Sequence, residues 1–426
     1  MNIEDKKTNK KQWWKNNWLV IATIIIGVSL ITLGFLTPVI FNLSKLSWLA
    51  EYYSLEDGKE ISQNFANYFA PFIGLLGVVL TFAAFYIQYR ANIQVQKQFE
   101  FQKTSEHFYK MLDIHKANVE EFEIDCYDRK DNDQYRLNAN SSTSFEKCID
   151  DIINSKYIIR EFKDYTLEEL VDEICGQNIK PTSSGFNKEK ITGRHVFTLI
   201  LIDLHLILEL ISTINKEYLK KRLCKKDISK LAYKIFFWGT NSSHIGGGYE
   251  NEEDREFIRK MLNHIKKQFE NNKGAKYNFT YTTNESEKSI SVNFIPFSGH
   301  STKLAHYYRH LYQTVCFLHQ SFKDNLITSL ELKSSLKTLR AQLMNEEVLL
   351  LYYNYAIGFG GNWERNDKNY DHAFFTNYDM IHKIPLRDYI HEFVKHPTTK
   401  FNNFIKNMQS IDESFRMFEW DEGSQL

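Results

Sequence analysis

The chain of 426 residues balances 53 basic against 53 acidic side chains, so no net positive field recommends nucleic acid as a partner. Its five cysteines, Cys126, Cys148, Cys175, Cys224 and Cys316, show no C-x-x-C or other ligand spacing, which argues against a thiolate metal site and suits a reducing cytosol. Few Pro and Gly interrupt the sequence, so the expected fold is mainly α, and no motif for a cofactor or metal ion is recognisable.

Residues 1–18 form a basic segment with Lys6, Lys7, Lys10, Lys11 and Lys15. Leu19 to Phe41 contains no Lys, Arg, Asp or Glu, and a helix of that length spans the roughly 30 Å hydrocarbon core of a bilayer. Phe65 to Tyr89 is equally free of charge, and in lipid both segments satisfy their backbone amides only as helices. A transmembrane hairpin over residues 19–89 is therefore expected. Its loop carries Glu51, Glu56, Asp57 and Glu60 against Lys45 and Lys59. Because positive charge stays on the cytoplasmic side, the N-terminus and everything after Arg90 should be cytosolic, with about twenty residues outside. Trp13, Trp14, Trp18, Tyr86 and Tyr89 suit the inner interface, and Trp48, Tyr52 and Tyr53 the outer one. The first segment is too long for a signal peptide and lacks a cleavage site. Neither span carries an ionisable residue, which weighs against a pore. Ala66, Ala70 and Gly74, with Gly77 nearby, offer a small-residue face for packing the hairpin or for a homo-oligomer through spans and stalk.

Beyond the spans, Ala91 to Ile124 lacks Gly and Pro and keeps a helical rhythm, giving a helical stalk over residues 90–126. Residues 127–426 are expected as a helical cytosolic domain. Asp128 to Ser144 reads as a polar loop, Thr166 and Glu169 as a capping box opening a helix, and Lys180 to Asn187 as a turn. Val196 to Ile214 is apolar enough for a third span, but Asp203, His205 and Glu209 near its middle make it a buried core helix. His205 and Glu209 share a face and read as a satisfied core pair. Asp227 caps a helix ending at Trp238, and the glycine-rich stretch after it, Gly239 to Tyr249, matches no phosphate-binding loop. Glu252 to Glu270 is amphipathic. Residues 276–297 alternate polar and apolar about Asn284 to Lys288, a β-hairpin and the one convincing β-element. Leu304 to Phe322 and Leu326 to Ile357 are strong helices, followed by a polar, aromatic stretch, Gly360 to Asn377.

On the first of these helices Leu304, Tyr308, Leu311, Val315 and Leu318 gather on one side, and His306, Arg309, His310 and Gln313 on the other. Read as one helix, Leu336 to Ala356 aligns Arg340, Met344, Glu347, Leu351 and Asn354 in a stripe on an otherwise apolar rod. An unpaired buried charge is strongly destabilising, so Glu347 is expected to meet Arg309 or His310.

The sequences H-Y-Y-R-H-L-Y-Q, within Gly299 to Gln320, and L-R-A-Q-L-x-N-x-E-x-x-L-L-Y-Y-N, from Leu339, resemble the phage abortive infection proteins, an AbiC-like group of bacterial defence proteins. The motif positions are Tyr307, Arg309, His310, Tyr312, Gln313, Arg340, Gln342, Asn345, Glu347 and Asn354. The likeness extends to the paired N-terminal spans, to F-Y-x-x-L-x-x-H at Phe108, Tyr109, Leu112 and His115, and to an aromatic-Gly element at Phe236 to Gly239. Met344 stands where serine is usual in that group, so no nucleophile is assigned there. The resemblance implies a defence protein of the bacterial inner membrane, whose cytosolic domain senses a phage or host trigger and arrests the host.

An alternative is a tethered hydrolase using His306, Arg309, His310 and Glu347, or a HEPN-like ribonuclease. The R-x(4–6)-H signature of the latter occurs at Arg259 to His264 and Arg365 to His372, about as often as chance gives. Walker A, G-x-S-x-G and H-E-x-x-H motifs are absent.

Overall fold

The computed structural model describes residues 58–129, 186–217, 223–245, 252–271, 277–282, 287–368, 370–386 and 390–419, with isolated positions at 22, 25–29, 32, 219 and 273. Most of the first expected span, the external loop up to residue 57, the polar loop from residue 130, the capping-box helix at Thr166 and the start of the turn before Phe186 lie outside these residues.

The chain divides into two units, Met1–Lys103 and Thr104–Leu426. The division falls inside α1, a helix over Gly58–Glu120. In the first unit Ile73, Val78, Leu80, Phe82 and Phe85 of α1 are each at least 60% exposed, and its most apolar window buries nothing. By length and composition the helix can cross a membrane. Residues 25–29 are helical, and a Cβ on the buried Gly27 would lie 3.4 Å from Leu76. Gly74 and Gly77 meet nothing within 4 Å, so this packing uses the glycine of the first segment and leaves those of the second open.

The second unit is mostly helical. Its centre is α2 (His195–Glu217), where Leu204, Leu206, Ile207, Leu208 and Ile211 are wholly buried. Although apolar enough to span a membrane, this helix buries two-thirds of its most apolar window, 67%, as its internal charges predict. Around it lie α3 (Lys225–Trp238), α4 (Glu252–Asn271), α5 (Ser301–Lys323), α6 (Ser329–Gln342) and α7 (Asn345–Ile357). The chain then passes through short hairpin and single-turn elements to α8 (Asn402–Ile411).

Three elements differ from expectation. The stalk helix stops at Glu120 instead of reaching residue 126, because Phe122 turns into the core and Glu123–Arg129 forms strand β1. Strand β1 pairs antiparallel with β2 (Phe186–Thr192), Glu123 opposite Thr192, with Lys188–Asp125 and Lys190–Glu123 ion pairs on the ladder. Besides the expected hairpin, β3 (Tyr277–Thr282) with β4 (Glu287–Val292), a third two-stranded ladder joins β5 (Glu364–Asp367) to β6 (Tyr370–Ala373). Finally, Leu326 to Ile357 is two helices. A Thr328–Glu331 capping box opens α6. Leu343 and Met344 are then extended, and the Glu347 carboxylate accepts the Met344 N–H at 2.6 Å to start α7. The stripe from Arg340 to Glu347 therefore does not lie on one helix.

The position of α5 is set by a buried acid and a close backbone crossing. Asp203 of α2 accepts the Phe297 N–H at 3.1 Å and lies 2.9 Å from His300 Nε2, at the residue that begins α5. The His300 N–H donates to the Phe236 and Phe237 carbonyls at the end of α3. There Gly239 and Gly299, both at positive φ, pass so closely that a Cβ on Gly299 would lie 2.6 Å from the Trp238 carbonyl carbon. Because neither backbone can yield, Gly299→Ala should lose at least about 2 kcal/mol of stability, read as a lowered unfolding midpoint of the detergent-solubilised chain.

Candidate functional site

The core face of α5 is as its periodicity foretells, with Leu304, Tyr308, Leu311, Val315 and Leu318 buried, and Tyr307, outside that expected face, is buried as well. On the opposite face His306, Arg309 and Gln313 are exposed and make no hydrogen bond or ion pair among the described residues. His310 lies between the two faces and its Nε2–H donates to the Met111 carbonyl of α1 at 2.8 Å.

One turn along α1 from Met111, the His115 ring is buried 5.2 Å from the Tyr307 ring and 6.3 Å from that of His310. Glu347, at the start of α7, reaches the same place, with its carboxyl beside the Tyr307 hydroxyl. Arg194, exposed in the turn before α2, is close enough for its charge to act on His115, Tyr307 and Glu347 alike. Four segments distant in sequence therefore place one buried polar cluster among α1, α5 and α7.

Little in this cluster is satisfied within the protein. One Glu347 oxygen holds the Met344 N–H, and the carboxyl also acts on the Tyr307 hydroxyl, though outside ordinary hydrogen-bond geometry. Both His115 ring nitrogens and the Asn118 side-chain nitrogen, one turn further along α1, are buried with no hydrogen-bond partner among the described residues. Side chains with such atoms are normally hydrogen-bonded once buried, so a cluster of them is unusual. Exposures of 3% for His115 and 1% for both Tyr307 and Glu347 make the electrical consequences large. Burial, then the neighbouring His310 and Arg194, push the His115 pKa down from 6.5 to about 4. Burial raises that of Glu347 from 4.5 to about 7, against the pull of the Met344 N–H, Arg194 and Tyr307. The arrangement can hold, each against Tyr307, a neutral imidazole and a carboxyl that exchanges its proton near neutrality.

Of the four residues singled out as a possible reactive patch, His310 approaches His115 and Glu347 approaches Tyr307, whereas His306 and Arg309 remain on the outer face of α5. The expected Arg309–Glu347 pair is not formed, because Arg309 is exposed while Glu347 is buried on the far side of the helix. Other motif residues have structural partners. Tyr312 Oη is 2.6 Å from His372 Nδ1, Arg340 donates to the Tyr378 carbonyl at 2.8 Å, and Asn354 donates to Tyr233 Oη at 2.7 Å. Gln342 and Asn345 are exposed. His205 and Glu209 do not pair with each other: His205 meets Tyr353 Oη at 3.0 Å and Glu209 meets His391 at 2.8 Å. Arg259 is held by Glu256 and the Thr240 carbonyl. Arg365 and His372 face each other across the β5–β6 hairpin and are not on a helix at all. Among the described residues no group of three or more His, Cys, Asp or Glu could hold a metal ion.

Sequence reasoning passed over Arg194 and Asn118, which carry no local signal. His115 was visible only as the last position of F-Y-x-x-L-x-x-H.

A mostly helical unit centred on a buried apolar helix, with a buried polar cluster where α1, α5 and α7 meet, is thus the class of molecule the structure defines. Residues 299–389 match the model of a family described as putative phage abortive infection protein. The matched segment opens at the Gly299–His300 crossing and contains α5, α6, α7 and the β5–β6 hairpin. No curated protein and no solved structure gives a match.

Two opposing pH dependences follow. The folded-state pKa of Glu347 is raised, so its contribution to stability is present below pH 4.5 and lost as pH rises to 7. That of His115 is lowered, so its contribution is present above pH 6.5 and lost as pH falls to 4. Between pH 4.5 and 6.5 the two slopes offset each other. Glu347→Gln should expose the histidine slope, a gain on the order of 3 kcal/mol from pH 4 to 6.5. His115→Phe should expose the reverse slope. Urea unfolding of each full-length variant across this range measures both, and profiles indistinguishable from the parent chain would exclude the assignment.

Proposed function

We propose that this is a membrane-anchored bacterial defence protein acting by abortive infection, whose cytosolic unit detects infection and triggers arrest of the host. The observation that carries the reading is the family match over the segment that builds α5, α6 and α7. Anchoring is supported by the two uncharged segments, Leu19 to Phe41 and Phe65 to Tyr89, and by the apolar side chains that α1 leaves exposed. Burying such side chains in hydrocarbon contributes about 25 cal/mol for each Å² removed from water, so an aqueous setting for this surface is strongly disfavoured. The lysines before the first segment favour an inner-membrane orientation with both termini in the cytosol.

In this reading the response passes through the membrane or a bound partner, with no chemical step assigned to the chain. Cells expressing the full chain should resist phage plating, and arrested cells should lose the signal of a potential-sensitive dye. Deleting residues 19–89 should abolish both effects. Undiminished protection from the deleted form would refute the membrane-dependent mechanism.

A further inference from the structure

Five buried side-chain atoms of His115, Asn118, Tyr307 and Glu347 make no hydrogen bond of ordinary geometry among the described residues, and of these only the Tyr307 hydroxyl and the Glu347 carboxyl act on each other. They are not scattered. His115, Tyr307 and Glu347 lie where the last turns of α1 meet α5 and α7, with Asn118 one turn further along α1, so the shortfall is concentrated in one region.

The rest of that contact is well made. Phe108 and Val119 of α1 are buried on either side of His115, the His107 ring sits 4.5 Å from Phe317, and His310 holds the Met111 carbonyl. Just past α1 the Phe122 ring lies 4.7 Å from Phe197 of α2. The docked segment therefore has apolar grips at both ends and a weak polar centre. A buried polar group left unmade opposes folding by its full desolvation penalty, whereas apolar groups of the same shape there would favour it. A chain selected only for firm docking would place phenylalanine and leucine at such positions.

We propose that the contact of residues 104–120 with α5 and α7 is a release latch. Its polar centre keeps the docked state only marginally favoured, and its opening is the step that commits the soluble unit to host arrest. When the latch opens, the His115 nitrogens, Tyr307 hydroxyl and Glu347 carboxyl gain water, which offsets part of the cost of exposing the apolar grips. The groups acting on Glu347 are Tyr307 of α5, Arg194 before α2, and Glu346 and the Met344 N–H of its own element, while those acting on His115 are His310 of α5 and Arg194. Any change that removes a bare polar atom without altering shape should close the latch.

The meaning given to opening rests on the abortive-infection reading, while the weakness of the contact does not. The test uses Tyr307→Phe and, separately, His115→Leu in the full chain, with wild type alongside. Hydrogen exchange of the amides of residues 108–119 should slow several-fold in both variants, and the unfolding midpoint should rise by a few degrees. Phage protection should fall by about tenfold, because the closed state is over-stabilised. Faster exchange or a lower midpoint in both variants would overturn the latch, since the polar groups would then be supporting the contact. Slower exchange with full protection would overturn its role in arrest. Failure of the wild type itself to protect would count against the defence reading, with the exchange data still deciding whether the latch exists.

Discussion

The Glu347 carboxyl does two incompatible things at once, and the rest of the site is arranged around that conflict. One oxygen takes the Met344 N–H, which breaks a continuous apolar stretch into α6 and α7. The same placement sinks the other oxygen beneath the surface, where the Tyr307 hydroxyl is its one polar neighbour and the contact falls outside ordinary hydrogen-bond geometry. A glutamate at the third position of an exposed helix would combine the capping bond with free solvation. Here the cap forms in the core, so the carboxyl is held where its charge is least welcome and its proton affinity climbs.

Several distant constraints hold it there. Asp203 and His300 fix where α5 begins, and the Gly239–Gly299 crossing fixes its approach to α3. With that end pinned, the helical repeat turns Tyr307 inward and Arg309 outward. Tyr308 donates to the Leu350 carbonyl at 3.2 Å, which sets α7 against α5. The end of α1 closes the remaining side with His115. Residues of four segments meet because each is placed by contacts elsewhere, which explains how a poorly satisfied cluster can persist within a large and well-packed core.

Much of this was legible in the sequence wherever a residue carried its own physical argument. Asp203, His205 and Glu209 marked α2 as a core helix despite its span-like hydropathy, and the apolar spacing of α5 gave its buried face. The break at Leu343–Met344 was not legible, because no glycine or proline announces it and the cause is a side chain three residues later. Strands β1 and β2 were missed because their partners are far apart and their exposed, charged residues do not alternate cleanly. The Arg309–Glu347 pair failed for a different reason: a helical wheel shows which residues share a face, but not which face a neighbouring helix will meet. For the same reason Tyr307, marked only as a motif position, came without its neighbours His115 and Arg194.

The apolar part of α1 and the polar cluster at its other end belong to one helix, so the chain joins a segment suited to lipid with a contact ill suited to permanence. The cluster is the feature on which that view stands, and the ionisation of Glu347 tests it most directly. Infrared difference spectra of the full-length protein, with Glu347→Gln identifying the band, should show a protonated carboxyl titrating near pH 7. Complete ionisation of that carboxyl at pH 5 would mean that it is solvated or paired, and the buried polar cluster described above would not exist.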